Sequence, residues 1–295
     1  MAETALPLAR KAADVLAERG VENARLEAEL LLAWVLGIGR LQLYLQHDRP
    51  VSDAELERFR AAVRRRLKHE PVQYIVGTAH FRQLELRVDR RVLIPRPETE
   101  ELVGAVLEWA RRSDGAGERR LTALDLGTGS GAIALSLAKE GPFRRVVATD
   151  VSAAALELAR ENADALGLGE RIELRAGSLW DAVLADERFD VIVSNPPYVA
   201  ERDRATLAPE VLEWEPAGAL FGGAAGYDVI EPLVRGAPSH LAPGGLLAVE
   251  VGLGQAAAVA ERIDETGAYE GARVLRDLAG RERMVLAAAP GSVEG

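Results

Sequence analysis

The first seventy residues carry apolar side chains at helical spacing, and glycine ends two of these apolar stripes, at Gly20 and Gly37. A third stripe begins after Ser52, which is followed three residues later by Glu55, the pattern of a capping box at a helix start. The stripes predict helices at residues 6–19, 26–36 and 53–68. We therefore predict a small helical domain over residues 1–70.

After Pro71 the pattern changes, and apolar residues alternate with polar ones. The alternation at residues 74–76 and 81–94 predicts a small β-hairpin, which we assign to a linker over residues 71–95. A helix is predicted next, from Glu98 to Arg111, because this stretch is acidic at its start and basic at its end, as the helix dipole favours.

From residue 121 onward, short apolar runs typical of buried strands alternate with helical patterns. Strands are predicted at 121–126, 145–149, 172–174, 189–193 and 246–251, and helices at 132–139, 153–166 and 227–241. This alternation is typical of an α/β fold with a parallel, doubly wound sheet. The last two predicted strands, at 273–276 and 284–288, have no helix between them, so we predict an antiparallel pairing there. The α/β domain is assigned to residues 96–290, and residues 291–295 to a loose tail.

Composition and charge exclude several classes of protein. Of the 295 residues, 48% are hydrophobic, which is enough for a large core, and the net charge of -10 argues against a duplex-DNA coat protein. The first ninety residues carry 15 basic and 13 acidic side chains, so the acidic excess lies in the rest of the chain. The absence of cysteine excludes disulfide scaffolds and thiolate zinc sites. Without an apolar run of about 18 residues, neither a signal peptide nor a membrane span is predicted, and we expect a cytoplasmic protein.

The first candidate for chemistry is a glycine-rich loop between a predicted strand and a predicted helix. It consists of Gly127, Thr128, Gly129, Ser130 and Gly131. Glycines at this place let a ligand approach the backbone amides and the start of the helix. The spacing G-x-G-x-G is tighter than the G-x-G-x-x-G of dinucleotide sites and suits a ligand without a pyrophosphate, as in S-adenosylmethionine enzymes. The alternative is a turn that only packs the helix on the strand.

Asp150 is the second candidate, because it stands at the tip of the next predicted strand. A carboxylate at this place can accept hydrogen bonds from both hydroxyls of a ribose. The alternative is that Asp150 only helps to cap the helix predicted after Ser152.

The most specific motif is Asn195, Pro196, Pro197 and Tyr198, directly after the strand predicted at 189–193 and at the edge where such sheets bind ligands. Two prolines fix the backbone and have no N–H, so the carbonyl of Pro196 stays free as an acceptor. We expect the side-chain oxygen of Asn195 and this carbonyl to accept the two hydrogens of a planar amino group. The ring of Tyr198 would pack on the flat face of that group. An ordinary proline turn would explain the prolines but not the residues on either side.

The glycine loop, Asp150 and the Asn-Pro-Pro-Tyr motif together resemble the class I S-adenosylmethionine-dependent methyltransferases that act on planar nitrogens. These enzymes methylate N6 of adenine, N2 of guanine or the amide nitrogen of glutamine, and the motif alone does not choose among them. Further segments closely resemble the bacterial release factor glutamine methyltransferases, the PrmC/HemK family. They are residues 70–77, 92–100, 124–134, 194–198, 215–216 and 220–223. The resemblance runs from about Glu27 to Gln255.

This resemblance implies a fold, a reaction and a set of site residues. The fold is a Rossmann-like, seven-stranded, mostly parallel sheet with a small N-terminal helical domain and a β-hairpin linker. The reaction transfers a methyl group from S-adenosylmethionine to N5 of the glutamine in the Gly-Gly-Gln motif of bacterial class 1 release factors and leaves S-adenosylhomocysteine. The implied cofactor contacts are Gly127 to Gly131, Asp150, Trp180 and Asn195. The implied substrate contacts are Asn195 to Tyr198, with Asn195, Pro196 and Tyr198 catalytic.

One departure from the family pattern concerns the adenine. Many relatives have an acidic residue where Leu179 stands, beside the Trp180 that the resemblance places at the adenine. The segment from Arg96 to Glu100 is a further candidate for lining the methionine pocket, although acidic side chains are common at the start of a helix.

Two other functional classes remain open at this point. A nucleic-acid exocyclic-amine methyltransferase explains the Asn-Pro-Pro-Tyr motif equally well, but the chain has no evident base-recognition domain. A non-catalytic cofactor-binding adaptor would be expected to have lost Asn195 or the glycines. The four histidines are scattered without ligand spacing, so no metal is expected. We expect no membrane partner and no requirement for nucleic acid, and we expect the N-terminal helices to dock the release factor.

Overall fold

The computed structural model describes residues 3–113 and 121–291. Its helices are α1 (Ala5–Glu18), α2 (Ala24–Leu36), α3 (Arg40–Leu45), α4 (Asp53–Arg66), α5 (Val72–Val76), α6 (Pro97–Ser113), α7 (Ala132–Glu140), α8 (Ala153–Ala165), α9 (Pro209–Trp214), α10 (Ala217–Leu220), α11 (Ile230–Gly236) and α12 (Ala256–Glu265). Its strands are β1 (Thr78–Phe81), β2 (Leu84–Arg87), β3 (Leu121–Leu126), β4 (Phe143–Asp150), β5 (Ile172–Ala176), β6 (Phe189–Ser194), β7 (Leu241–Glu250), β8 (Ala272–Arg276) and β9 (Glu282–Ala288).

The chain divides into two compact units. The first, called the helical unit, is Met1–Thr78 with Ala208–Trp214, and the second, called the sheet unit, is Ala79–Leu207 with Glu215–Gly295. Helix α9 therefore belongs to the helical unit, although it lies far along the chain from α1 to α5. The predicted linker over residues 71–95 is divided at Thr78, and residues 292–295 of the predicted tail lie outside the described residues.

The helical unit confirms the three helices that the apolar stripes predict. The capping box is formed, because the Ser52 hydroxyl accepts from the Glu55 amide at 3.3 Å and the Glu55 carboxylate accepts from the Ser52 amide at 2.9 Å. Gly37 ends α2 in the left-handed conformation, with φ at +64°. Apolar side chains of α1, α2 and α4, among them Leu16 and Phe59, form a buried core.

The prediction of a strand at residues 74–76 is wrong, because these residues belong to the short helix α5. Pro71 precedes the helix, and Gly77 ends it in the left-handed conformation with φ at +82°. The hairpin itself is present, but it consists of β1 and β2 alone, and residues 92–94 form no strand.

The sheet unit holds a seven-stranded sheet in the order β5-β4-β3-β6-β7-β9-β8. The pairs from β5 to β7 are parallel, and β9 runs antiparallel to both β7 and β8. The antiparallel pairing of β8 with β9 was predicted. Alternate residues of the strands face two apolar layers: Ala123 packs with α6 and α7, and Leu124 packs with α11 and α12. The predicted helix at 227–241 is shorter in the structure, since α11 ends at Gly236 and Leu241 begins β7.

The strand order places a ligand crevice at one edge of this sheet. Strands β4 and β5 extend the sheet on one side of β3, and β6 and β7 extend it on the other side. The strand order therefore reverses between β3 and β6. Parallel sheets bind ligands outside the carboxyl ends of the strands at such a switch point. The glycine loop follows β3 and the Asn-Pro-Pro-Tyr motif follows β6, so both reach this edge. Among the described residues, no helix is long and apolar enough to cross a membrane.

Candidate active site

A cavity of about 500 Å³ lies at the carboxyl ends of β3, β4 and β6. Its wall includes Thr99 and residues 127–130, 149–152, 177–179, 194–197 and 216–219, except for Ala217, together with Asp228 and Val229. The cavity thus brings together most of the glycine loop, Asp150, Asn195, Pro196 and Pro197. Of the residues predicted for the site, Gly131, Trp180 and Tyr198 do not line it.

The glycine loop is held in a conformation that favours glycine. Gly127, Gly129 and Gly131 have φ values of +76°, +54° and +84°. A Cβ atom at Gly127 or Gly129 would meet nothing within 4 Å, whereas at Gly131 it would lie 2.9 Å from Cδ1 of Leu135. Gly131 therefore packs against α7, which begins directly after it, and Gly127 and Gly129 leave open space on the cavity side.

Asp125 anchors this loop from inside the sheet unit. It is fully buried, and its Oδ2 accepts a hydrogen bond from the Thr128 hydroxyl at 2.6 Å and from the Ala134 amide at 3.2 Å. Burial raises the pKa of Asp125 to about 7, against the effect of these two hydrogen bonds. Its other oxygen, Oδ1, is buried without a hydrogen-bond partner among the described residues.

Asp150 holds the backbone at the start of α8 and also reaches the cavity. Its Oδ2 accepts from the Gly129 amide at 2.9 Å, and its Oδ1 accepts from the Ser152 amide at 2.8 Å, while Ser152 caps α8. Asp150 also lines the cavity. Each carboxylate oxygen has a second lone pair, so these backbone contacts leave acceptor capacity for a ligand.

Asn195 and Pro196 stand on the cavity wall next to Ser194, the last residue of β6. The Ser194 hydroxyl donates to the Leu126 carbonyl at 2.7 Å and so ties the end of β6 to the end of β3. The Asn195 Nδ2 donates to the Thr99 hydroxyl at 3.0 Å. Thr99, which belongs to the segment from Arg96 to Glu100, itself lines the cavity.

Tyr198 lies behind the cavity wall. Its hydroxyl donates to Glu250 Oε1 at 3.3 Å and accepts from Arg283 at 3.0 Å, and the Arg283 guanidinium lies 5.3 Å from the ring centroid. Burial, together with the nearby charge of Glu250, raises the pKa of Tyr198 to about 12. The Tyr198 side chain thus supports the motif from the side away from the cavity. Pro197 forms the cavity wall at this place.

Trp180 also points away from the cavity. Its indole donates to the Pro232 carbonyl at 3.0 Å, and its ring stacks on His240 at a centroid distance of 5.0 Å. The cavity wall is formed instead by its neighbour Leu179, which has φ at +48°, together with the exposed Val151. Two aliphatic side chains thus line the cavity beside Trp180, the residue that the resemblance places at the adenine.

Sequence reasoning missed three residues near the site, which are Glu250, Arg283 and Gln255, and it included Thr99 only as part of the segment from Arg96 to Glu100. Gln255 donates to the Tyr198 carbonyl at 3.0 Å and so holds the end of the motif. The sequence does contain one signal, since Glu250 is the single charge in the apolar run at 246–251. Among the described residues, no group of three or more His, Asp or Glu side chains is arranged to hold a metal ion.

Sequence comparisons give a consistent set of relatives. A family model described as PrmC N-terminal domain matches residues 8–77, and one described as methyltransferase small domain matches residues 116–215. The release factor glutamine methyltransferase of Geobacter sulfurreducens is 47% identical over 252 residues, 85% of this chain and 85% of the relative. Its namesake from Cereibacter sphaeroides is 44% identical over 281 residues, 95% of this chain and 97% of the relative.

Structural comparisons agree on the fold. A methyltransferase from Pyrococcus furiosus has a TM-score of 0.52 at 22% identity and covers 71% of this chain and 90% of its own. The N-terminal domain of human METTL16 in complex with SAH has a TM-score of 0.53 at 17% identity and covers 71% of this chain and 76% of its own. At these identities, the likeness shows the methyltransferase fold alone.

Proposed function

Because the chain belongs to the family of release factor glutamine methyltransferases, we propose that the cavity of its sheet unit holds S-adenosylmethionine beside the glutamine that receives the methyl group. The enzyme methylates a glutamine of release factors, and the relatives favour this substrate over a nucleic-acid amine. The observation that carries the site proposal is that the glycine loop and the Asn-Pro motif line one cavity.

The cavity fits the cofactor in size and in chemistry. Its volume of about 500 Å³ lies in the range of small-molecule sites. We assign the amino-acid portion to the glycine loop, where Gly127 and Gly129 leave open space, and the ribose hydroxyls to Asp150. Val151 and Leu179 would face the adenine in the place of Trp180, which then acts only by packing on His240. When bound, S-adenosylmethionine supplies an electrophilic methyl group on its sulfonium.

The motif after β6 would hold the glutamine amide. Carboxamide nitrogen is a poor nucleophile because its lone pair is delocalised into the carbonyl, so the site must orient it. The Asn195 oxygen and the Pro196 carbonyl would accept its two hydrogens and turn the nitrogen towards the methyl group. Held in this way, the nitrogen would be placed to accept the methyl group that the cofactor would supply, and it would give up one proton to water. Tyr198 would contribute by holding Pro197 and the motif in place.

The family membership supports a proposal for the partner and the location. We propose that the substrate is the Gly-Gly-Gln loop of bacterial class 1 release factors, met in the cytoplasm, and that the helical unit contacts the body of the release factor. Support comes from the exposed apolar side chains of that unit. Six of the ten large hydrophobic side chains that are exposed among the described residues belong to it: Val15, Leu26, Trp34, Leu41, Tyr44 and Leu45.

The substitution Asn195→Ala tests the proposed amide clamp. It removes one acceptor, so we expect kcat with a release factor to fall by about 100-fold or more. Asn23→Ala is a matched control, since Asn23 is exposed and its side chain makes no capping bond. Circular dichroism would show that both variants are folded. Turnover of folded Asn195→Ala within a few-fold of the wild type would refute the clamp.

A further inference from the structure

Glu250 is a buried carboxylate that the proposed contacts to cofactor and glutamine do not use. It ends β7, its side chain has no exposure to solvent, and the residue before it, Val249, pairs with Ser194 at the end of β6. Glu250 therefore lies beside the backbone that carries Asn195. A buried charge needs hydrogen bonds and a counter-charge, so its partners show what it holds.

The hydrogen bonds from Glu250 to the cavity have a defined direction. The Glu250 Oε2 lies 2.6 Å from the Thr99 hydroxyl oxygen, and an ionised carboxylate can only accept. Thr99 must therefore donate its one hydroxyl hydrogen to Glu250. Its oxygen can then only accept from Asn195, so the group 3.0 Å away is the Nδ2 of Asn195. The other end of this carboxamide, Oδ1, is thereby left for the cavity.

Two further side chains stabilise the ionised form of Glu250. The Arg283 guanidinium lies 3.7 Å from Oε1, and the Tyr198 hydroxyl donates to the same oxygen at 3.3 Å. Burial raises the pKa of Glu250 above its ordinary value, and Thr99, Arg283 and Tyr198 reduce this rise without cancelling it. The arrangement resembles an orienting second layer around a ligand, in which each outer group fixes the donor or acceptor face of the group inside it.

We propose that Thr99 and Glu250 are positioning residues that keep the Asn195 carboxamide with its oxygen towards the substrate amide. A free Asn side chain can present either its oxygen or its NH2, and the NH2 would repel the hydrogens of a glutamine amide. The hydrogen bonds from Asn195 to Thr99 and from Thr99 to Glu250 exclude that second orientation. This proposal rests on the proposed function, because it gives the Asn195 oxygen its direction for the glutamine amide.

The test compares Thr99→Val, which removes the hydroxyl at nearly constant shape, with Thr99→Ser, which keeps it. We expect Thr99→Val to lower kcat by about tenfold or more, with KM for the release factor nearly unchanged, and Thr99→Ser to restore most of the turnover. Glu250→Gln should resemble Thr99→Val, because its new N–H can donate to the hydroxyl. Thr206→Val, an exposed threonine outside the cavity, is the matched control.

Two readouts separate positioning from a structural defect. In the Asn195→Ala background, Thr99→Val should cause no further loss of turnover, because the residue that it positions is gone. The side-chain amide signal of Asn195 in an NMR spectrum, identified by its loss in Asn195→Ala, should move in Thr99→Val and stay in place in Thr99→Ser. This second readout needs no substrate, so it stays valid if the wild type transfers no methyl group to a release factor.

Three results would overturn the proposal. They are full turnover of Thr99→Val, equal loss in Thr99→Ser and Thr99→Val, and an unchanged Asn195 signal in both variants.

Discussion

Asp125 and Glu250 are buried carboxylates beside the cavity, and their surroundings differ in one respect. Glu250 has a cation nearby, because Arg283 lies 3.7 Å away, whereas Asp125 has only neutral donors and one oxygen without a partner among the described residues. Ionised Asp125 is therefore costly for the folded protein. This free-energy cost arises at a residue whose carboxylate accepts a hydrogen bond from Thr128 of the glycine loop.

The substitution Asp125→Asn should reduce the dependence of stability on pH. The pKa of Asp125 rises from 3.8 to about 7 on folding, so between these values the folded protein binds more protons than the unfolded chain. Its contribution to stability is thus present at low pH and is lost as the pH rises towards 7. From pH 5 to pH 8, the free energy of unfolding of the wild type should fall relative to Asp125→Asn by about 3 kcal/mol.

Urea unfolding of both proteins at the two pH values measures this difference. The variant supplies its own baseline, because all other titrating groups are shared. Equal changes with pH in the two proteins would mean that Asp125 does not carry the raised pKa.

Single residues also show where sequence reasoning reaches its limit. Asn195 could be assigned to the site because its motif follows a strand directly. Thr99 and Glu250 could not be joined to it, since they lie 96 residues before and 55 residues after it in the chain, and only the folded sheet brings them together. Trp180, which the resemblance places at the adenine, donates from its indole to the Pro232 carbonyl and does not line the cavity, and the sequence does not determine this side-chain orientation.

At the scale of elements, the backbone from Pro197 to Ala200 is held by a segment that follows α10. The Val199 amide donates to the Leu220 carbonyl, and the Gly222 amide donates to the Val199 carbonyl, both at 2.9 Å. The two backbones approach so closely that a Cβ atom on Gly222 would lie 2.4 Å from the Pro197 carbonyl oxygen. Glycine is required at position 222 by this contact, because backbone atoms cannot move aside as a flexible side chain can.

Gly222→Ala should therefore damage the site, although Gly222 itself does not line the cavity. The added methyl group must displace Pro197, and Asn195 moves with it, so we expect kcat to fall by about tenfold or more, since a misplacement of about 1 Å is costly to catalysis. Gly39→Ala is the control, because a Cβ atom there meets nothing within 4 Å. Steady-state kinetics measure the effect, and melting curves show whether the fold survives. Normal kcat in Gly222→Ala would contradict the role assigned to this contact.

Elements with strong periodicity were predictable, and short ones were not. The parallel order of β3 to β7 and the antiparallel end of the sheet agree with the alternation of apolar runs. Helix α5 was taken for a strand because its β-branched and aromatic residues favour strands, yet Pro71 and Gly77 bound a helical turn there. Helices α3 and α9 are six residues each, too short to leave a periodic pattern.

At the scale of the whole molecule, the helical unit consists of two separate stretches of the chain. Glu210 in α9 pairs with Arg66, and the Trp214 indole donates to the Lys68 carbonyl, so this late segment belongs to the helical unit. The sequence alone could not predict that this late segment belongs to the same unit as the N-terminal helices. Deletion of residues 1–70 would therefore remove the residues that α9 contacts. Substitutions on the surface are a cleaner test of docking.

Two exposed leucines of α3 offer such a test. Leu41 and Leu45 are four residues apart on one helix and are 74% and 82% exposed. The double substitution Leu41→Asp and Leu45→Asp should raise KM for an intact release factor by about tenfold, since apolar contacts at an interface are lost, and should leave cofactor affinity unchanged. Leu278→Asp is a matched control, because Leu278 is 92% exposed on the sheet unit. An effect no larger than that of the control would exclude α3 from the docking surface.

The most direct test of the account is to find where the methyl group goes. Purified protein would be given S-adenosylmethionine with a labelled methyl group, together with a release factor, its variant with the loop glutamine changed to alanine, DNA or ribosomal RNA, and the label would be located by mass spectrometry. We expect label on the loop glutamine of the intact release factor and on none of the other three substrates. Label on nucleic acid, or on the release factor variant that lacks the glutamine, would contradict it.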